Sequence, residues 1–260
     1  MATDHTLIQI RERSFPDLLD LALVVVRSRP KTLGVAALAG VLPCAALNLW
    51  LTSDPTFPFL GYVGLVALEA PWATAPLTVG LGALLFGDRP TAGQVVRSLV
   101  RGLPAMIAYQ VVLRAVLMTT VVLYPIVPTK LAFLDEVILL EHGRFWGVFR
   151  RGSTLCGRRG SDLFGQWAAQ LFFGLLFVAC FWAGTGAMAN ALTSSELTWD
   201  RPGLSDFLGL RFQVAVWIAI SFFGVVRFLT YIDQRIRLEG WEVKLRLQAV
   251  GRAMEEAGRW

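Results

Sequence analysis

The 260-residue chain is 55 % apolar and 17 % charged, with a formal net charge of +5. Soluble domains carry about 25 % charged residues, and one aqueous core of this size cannot enclose so much apolar surface, so a water-soluble globular enzyme is excluded. Lipid is the solvent expected for the outer helix faces. The basic residues fall between apolar runs, which is the pattern of cytoplasmic loops beside anionic headgroups and not that of a nucleic-acid surface.

In chain order, residues 1–13 are polar. From Ser14 to Pro30 the stretch SFPDLLDLALVVVRSRP predicts a helix, with Ser14 as N-cap and Pro16 in the first turn. Asp17, Asp20 and Arg27 share one face, so helix 14–30 is expected either along the cytoplasmic interface or as a cytosolic cap on the bundle. A cleavable signal is not expected, because the first long apolar run starts about 30 residues in and exceeds an h-region. The first span is 32–51, long enough for a ~30 Å hydrocarbon core at ~1.5 Å per residue. Trp50 belongs at its outer interface, and Ala36 with Gly40 makes a small-xxx-small pair. Residues 52–58 form an outer turn. The second span, 59–86, carries Glu69, Pro71 and Pro76, and the prolines predict a kink or an interruption.

Loop 87–102 holds Arg89, Arg97 and Arg101 against Asp88. Stretch 143–162 holds Arg144, Arg150, Arg151, Arg158 and Arg159. Both want the cytoplasmic side, so an even number of crossings separates them. The turn is YPIVP, Tyr124 to Pro128, between arms 103–123 and 129–142. The second arm is short, contains Asp135, Glu136 and Glu141, and is a candidate for a half-embedded helix. Span 163–184 follows, with Trp167 and Trp182 at its two interfaces. The outer loop 185–205 has Glu196, Asp200 and Arg201, and the last span is 207–231. In the tail, Leu238, Trp241, Leu245 and Ala249 mark one face of an amphipathic cytoplasmic helix, 232–258; the alternation in WEVKLRL also suits a short strand. Of the 24 Lys and Arg, Lys130, Arg201 and Arg211 fall outside and Arg114 lies within a span. The remainder face inward, and both termini are expected in the cytoplasm.

An ionisable group inside a span costs about 2.5–3.5 kcal/mol on insertion scales and is a functional candidate. Glu69 and Arg114 both count to mid-membrane. They are expected to pair, or to face a polar cavity with Gln110; the plainer alternative is an ion pair that only fixes helix packing. Arg211, Arg227 and Asp206 lie near span ends, where snorkelling accounts for them. Arg144, Arg150, Arg151, Arg158 and Arg159 are candidate anionic-lipid contacts, at about 1 kcal/mol each. The stretch GSTLCGRR, Gly152 to Arg159, has the G-x-x-x-x-G of a phosphate loop, but Arg158 and Arg159 replace its Lys and Ser/Thr. Asp135, Glu136 and Glu141 have no companion set for acid–base chemistry beyond His142, and are expected to cap or to pair with the following arginines. Cys44, Cys156, Cys180, His5 and His142 show neither disulfide nor metal-ligand spacing. No catalytic residue, metal or cofactor is expected.

The tail FLTYIDQRIRLEGWEVKLRLQA, with Tyr231, Asp233, Arg235, Ile236, Arg237, Glu239 and Gly240, resembles the end of the bacterial glycerophosphoryl diester phosphodiesterase membrane-domain family and related multi-pass membrane proteins. FLDEVILLEHGRFWGVFRRGS is similar to that family's acidic stretch and arginine-rich helix, and ERSFPDLLDLALVVVRSRP to its N-terminal interfacial helix. The resemblance implies a membrane domain of about six helices, without the attached phosphodiesterase domain and its catalysis. The expectation is therefore an all-α polytopic transmembrane bundle of about six segments in the bacterial inner membrane. Its leading role is a non-enzymatic scaffold or accessory subunit meeting a protein partner or lipid at the cytoplasmic face. The alternative is a transporter, channel or lipid-handling protein using Glu69 and Arg114.

Overall fold

The computed structural model describes residues 14–54, 56–85, 91–120, 126–141, 145–157, 160–193 and 209–239, and all regular elements among them are helical. Helix α1, Phe15–Ser28, starts where the Ser14 N–H donates to the Asp17 carboxylate at 3.0 Å. It buries Leu18 and Ala22 while Leu23 and Val24 stay exposed, and it packs on the helix Leu210–Glu239.

Helices α2, Pro30–Leu51, and α3, Phe59–Leu85, form a tightly packed antiparallel pair. A Cβ on Gly40 would lie 2.0 Å from the Ala73 carbonyl oxygen, and one on Gly80 would lie 3.7 Å from the Ala36 methyl. The Ala36/Gly40 pair therefore does what small residues do between membrane helices, letting two backbones approach. Helix α3 is the centre of the bundle, buried without a break from Ala73 to Gly82. It continues through Pro71 and Pro76, so the interruption expected there is absent; packing on all sides holds the ladder together where propensity would break it.

Helix α4, Ala92–Thr119, includes a π-helical stretch over Ile107–Leu113. Its start is capped by Thr91, whose hydroxyl accepts from the Gln94 N–H at 3.4 Å. The expected loop 87–102 is thus helical from Ala92 and the span does not begin at 103. Arg97 and Arg101 lie on the polar side of an amphipathic first half, which a charge count cannot tell from a loop. Ile126–Pro128, expected in the turn, belong to a short helix α5, Ile126–Lys130. A second short helix, α6, follows over 134–141, α-helical for 3 residues and π-helical for 5. At about 12 Å it is too short to cross by itself, and its residues 134–139 are buried, so the described part of arm 129–142 is broken into short helices packed inside the bundle.

Helix α7, Phe145–Cys156, absorbs Gly152 to Cys156, so no phosphate-type loop forms there. Helices α8, Gly160–Thr193, and α9, Leu210–Glu239, pack on each other. Helix α9 runs past the boundary expected at 231 without a break, carrying the tail arginines Arg235 and Arg237 on the same rod. Among the described residues, four helices are long and apolar enough to cross a membrane: Pro30–Leu51, Ala92–Thr119, Gly160–Leu192 and Leu210–Leu238. Their exposed apolar residues, such as Val35 on α2 and Phe172 and Leu175 on α8, form the surface lipid would wet. Tyr124, the loop residues Glu196, Asp200, Arg201 and Asp206, and the tail 240–258 lie outside the described residues.

Candidate functional site

The densest polar chemistry sits where α6 meets α9. Arg227 on α9 places Nη2 at 2.8 Å from Asp135 Oδ2 and Nε at 2.8 Å from Glu136 Oε1. The two carboxylates are successive residues at the start of α6, and the planar guanidinium fork can meet both at once, which a lysine could not do. Nη2 also donates to Thr74 Oγ1 on α3 at 3.3 Å, and Gln110 in the π-helical part of α4 donates to Asp135 Oδ1. Four elements are thereby tied to one cation.

Contacts fix the depth of this cluster. Gly40, at the middle of α2, abuts Ala73 and Pro76; the neighbouring Thr74 abuts Gly224 on α9 and takes the Arg227 hydrogen bond. Arg227 therefore lies level with the centre of α2, not near a span end, and snorkelling does not account for it. Among the described residues, Asp135 and Glu136 pair with Arg227, not with Arg150 or Arg151.

A second network lies about one turn further along α9. Glu141 accepts from Arg151 Nε at 2.9 Å and from the Tyr231 hydroxyl at 2.8 Å, with Arg235 Nη1 at 3.5 Å. Arg235 also donates to the Tyr231 oxygen at 3.1 Å, and Arg237 pairs with Asp233 at 2.8 Å. The expected pairing of Glu141 with a following arginine is present, and the tail residues Tyr231 and Arg235 join it.

Beside Arg227 is a cavity of about 350 Å³ between α3, α4, α8 and α9, with α5 and α6 at one end. Its polar lining is Gln110, Arg114, Asp135, Gln166, Gln170 and Arg227, with Leu171, Leu175, Val178, Ile220 and Phe223 among the apolar lining. Leu171 and Leu175 are exposed and belong to its mouth. A lining that mixes two arginines and Asp135 with apolar side chains suits the headgroup and first carbons of an amphiphile.

Of the predicted pair, Arg114 joins Gln110 on this cavity wall. Glu69 does not: it accepts from Asn48 Nδ2 at 2.8 Å, although its neighbour Ala70 lines the cavity. Asn48 is one turn from the Leu51 end of α2, so Glu69 lies toward that end of the bundle. Ala73, one turn further along α3, abuts Gly40 at the middle of α2, so Glu69 stands about one turn from mid-bundle on the Leu51 side. Among the arginines proposed for lipid contact, Arg150 is exposed and Arg151 is held by Glu141; Arg144, Arg158 and Arg159 lie outside the described residues. Sequence reasoning missed the role of Arg227. The available signal was two adjacent carboxylates, Asp135 and Glu136, in an apolar stretch that must find a cation somewhere.

Fold and site together define an α-helical membrane protein with an open-mouthed, largely apolar cavity that carries several polar side chains. No family model, curated protein or solved structure matches the chain.

Proposed function

We propose that this chain is a lipid-handling membrane protein that admits the polar head of a bilayer amphiphile to the cavity beside Arg227. The observation that carries the reading is the lining itself: Arg114, Arg227, Asp135 and three glutamines share one cavity with apolar side chains, and Arg227 lies at mid-bundle depth. Polar groups at that depth are costly unless they pair or serve a ligand. The mouth at Leu171 and Leu175 opens beside the exposed Phe172 and Leu176 of α8, a surface that lipid chains can follow.

The role is non-enzymatic. Asp135, Glu136 and Glu141 are committed to Gln110, Arg227, Arg151 and Tyr231, which leaves them poor general acids or bases. The scaffold reading stays as the second one, favoured by the exposed Leu23 and Val24 of α1 and Val96 and Val100 of α4, an apolar surface that a partner could cover as well as lipid. The setting is the bacterial inner membrane, with about six segments counting α3 and the broken arm, and with both termini inside. The clustering of Arg27, Arg29, Lys31, Arg97 and Arg101 toward one end supports that orientation, and exposed Arg150 remains a contact for anionic headgroups. Kinship with the glycerophosphoryl diester phosphodiesterase membrane domains is part of the same reading, supported by the joint use of Tyr231 and Arg235.

The test is lipid retention. Protein purified in mild detergent is analysed by native mass spectrometry, and in bilayers it is crosslinked to a phospholipid with a photoreactive headgroup. Leu171→Trp/Leu175→Trp narrows the mouth at exposed positions the fold tolerates. Retained and crosslinked lipid should fall severalfold in this variant at unchanged thermal stability. Equal retention by the wild type and the double variant overturns the reading.

A further inference from the structure

Away from the cavity, three helices bring a second set of buried polar groups together near the Leu51 end of α2. Helix α2 supplies Asn48, α3 supplies Tyr62 and Glu69, and α9 supplies Gln213 and Trp217. Gln213 donates to Thr52 Oγ1 at 3.0 Å, one turn from Asn48, while Trp217 is one turn along α9 from Gln213. The Tyr62 ring lies 6.4 Å from that of Phe212, which pins α3 to α9 at the same level.

Asn48 is 0 % exposed, Tyr62 2 %, Trp217 3 % and Glu69 8 %. Asn48 Nδ2 donates to Glu69 Oε2. Among the described residues, no hydrogen-bond partner is present for Glu69 Oε1, Asn48 Oδ1, the Tyr62 hydroxyl or Trp217 Nε1. Nor does a cationic side chain among them act on Glu69. Asp135 and Glu136 show the contrast: at a similar burial each has Arg227. A buried carboxylate without a counter-charge carries a penalty of several kcal/mol, and one amide hydrogen bond cannot offset it.

We propose that Glu69 is a binding site for a small monovalent cation, a proton or sodium, which supplies the missing charge. A proton on Oε1 would neutralise the carboxyl outright. Sodium would use Glu69 Oε1 with Asn48 Oδ1 and the Tyr62 oxygen, hard ligands of the type such ions take. A divalent ion is disfavoured, because it calls for several carboxylates and no group of three His, Cys, Asp or Glu exists among the described residues. The titratable neighbours that feel the Glu69 charge are Cys44 on α2 and Tyr62 on α3; from α9 the facing groups are Gln213 and Trp217, which are uncharged. The site is independent of the cavity and stands or falls apart from lipid binding.

Wild type and Glu69→Gln, a neutral isostere, are compared in detergent. Melting temperatures are taken in sodium chloride against choline chloride at one pH, and the infrared spectrum in sodium-free buffer is searched for the carbonyl band of a protonated carboxylic acid. A sodium-dependent rise in Tm in the wild type that is flat in Glu69→Gln identifies sodium. An acid band in the wild type that disappears in the variant, with no sodium effect, identifies the proton. If neither difference appears while both proteins run as folded, monodisperse species, Glu69 binds no cation and the proposal is wrong.

Discussion

Arg227 is the residue on which the interior depends. It offsets two adjacent carboxylates and reaches Thr74 on a third element. Its side chain keeps 23 % of its surface accessible, and Arg227 lines the cavity. Arg227→Met leaves Asp135 and Glu136 charged and buried, a change expected to cost about 3–5 kcal/mol; Arg227→Lys should recover only part, since an ammonium is a point charge without the fork. The triple variant Arg227→Met/Asp135→Asn/Glu136→Gln removes all three charges and should regain most of the loss. Thermal unfolding in one detergent reads all three; a triple variant no more stable than Arg227→Met would mean the carboxylates answer to something else. None of this is visible in one dimension. A charged residue a few positions from the end of an apolar run has the hydropathy of a snorkelling group, and its partners lie some ninety positions upstream. Asp135 and Glu136 were legible as anomalies, and Glu69 as a candidate, but which cation serves which anion is decided by helix register. Nothing in the sequence singles out Asn48, because one amide near a span end is ordinary.

At the scale of elements the legible features are those set by local spacing. The apolar length of α2, the capping at Ser14 and the Ala36/Gly40 pair are all local, and each appears in the structure. Three features were not legible. The prolines of α3 do not interrupt it, because neighbours enclose that helix. Arg97 and Arg101 ride on an amphipathic helix. The segment 126–141 breaks into short pieces with a π-helical end, and π-helical winding, frequent at functional sites, has no reliable sequence mark. The α2–α3 contact gives a direct test. A methyl at Gly40 would meet the Ala73 carbonyl at 2.0 Å, a backbone atom that cannot rotate away, whereas a methyl at Gly34 meets nothing within 4 Å. Gly40→Ala should therefore destabilise by about 1–3 kcal/mol through overpacking. Gly34→Ala should be neutral or slightly stabilising, since alanine is the better helix former. Equal melting temperatures for the two variants would show that the close α2–α3 crossing does not exist in the folded protein.

For the molecule as a whole, the depth of every site follows from which helices cross. Helix α2 has 22 residues, about 33 Å at 1.5 Å per residue, so its ends lie on opposite faces of a ~30 Å core. Helix α3, with 27 residues, returns the chain to the Pro30 side, where Arg27, Arg29, Lys31, Arg97 and Arg101 gather. In the orientation proposed above this is the cytoplasmic side, the one that such clustering favours. Ser53 and Gly93 are exposed and stand near the two faces, so each can carry a single reporter cysteine. Cys156 needs no replacement in this design: it is buried, and burial pushes its thiol up to about 11, leaving almost no thiolate to react near neutral pH. In a Cys44→Ala/Cys180→Ala background, Ser53→Cys should react with a membrane-impermeant maleimide on intact cells. Gly93→Cys should react only after permeabilisation. The reverse pattern inverts the protein while leaving its interior intact. Labelling of both sites on intact cells is the more damaging result, because α2 and α3 would then not traverse the bilayer, and the mid-membrane position of Arg227, which is measured from Gly40, would have no membrane to refer to.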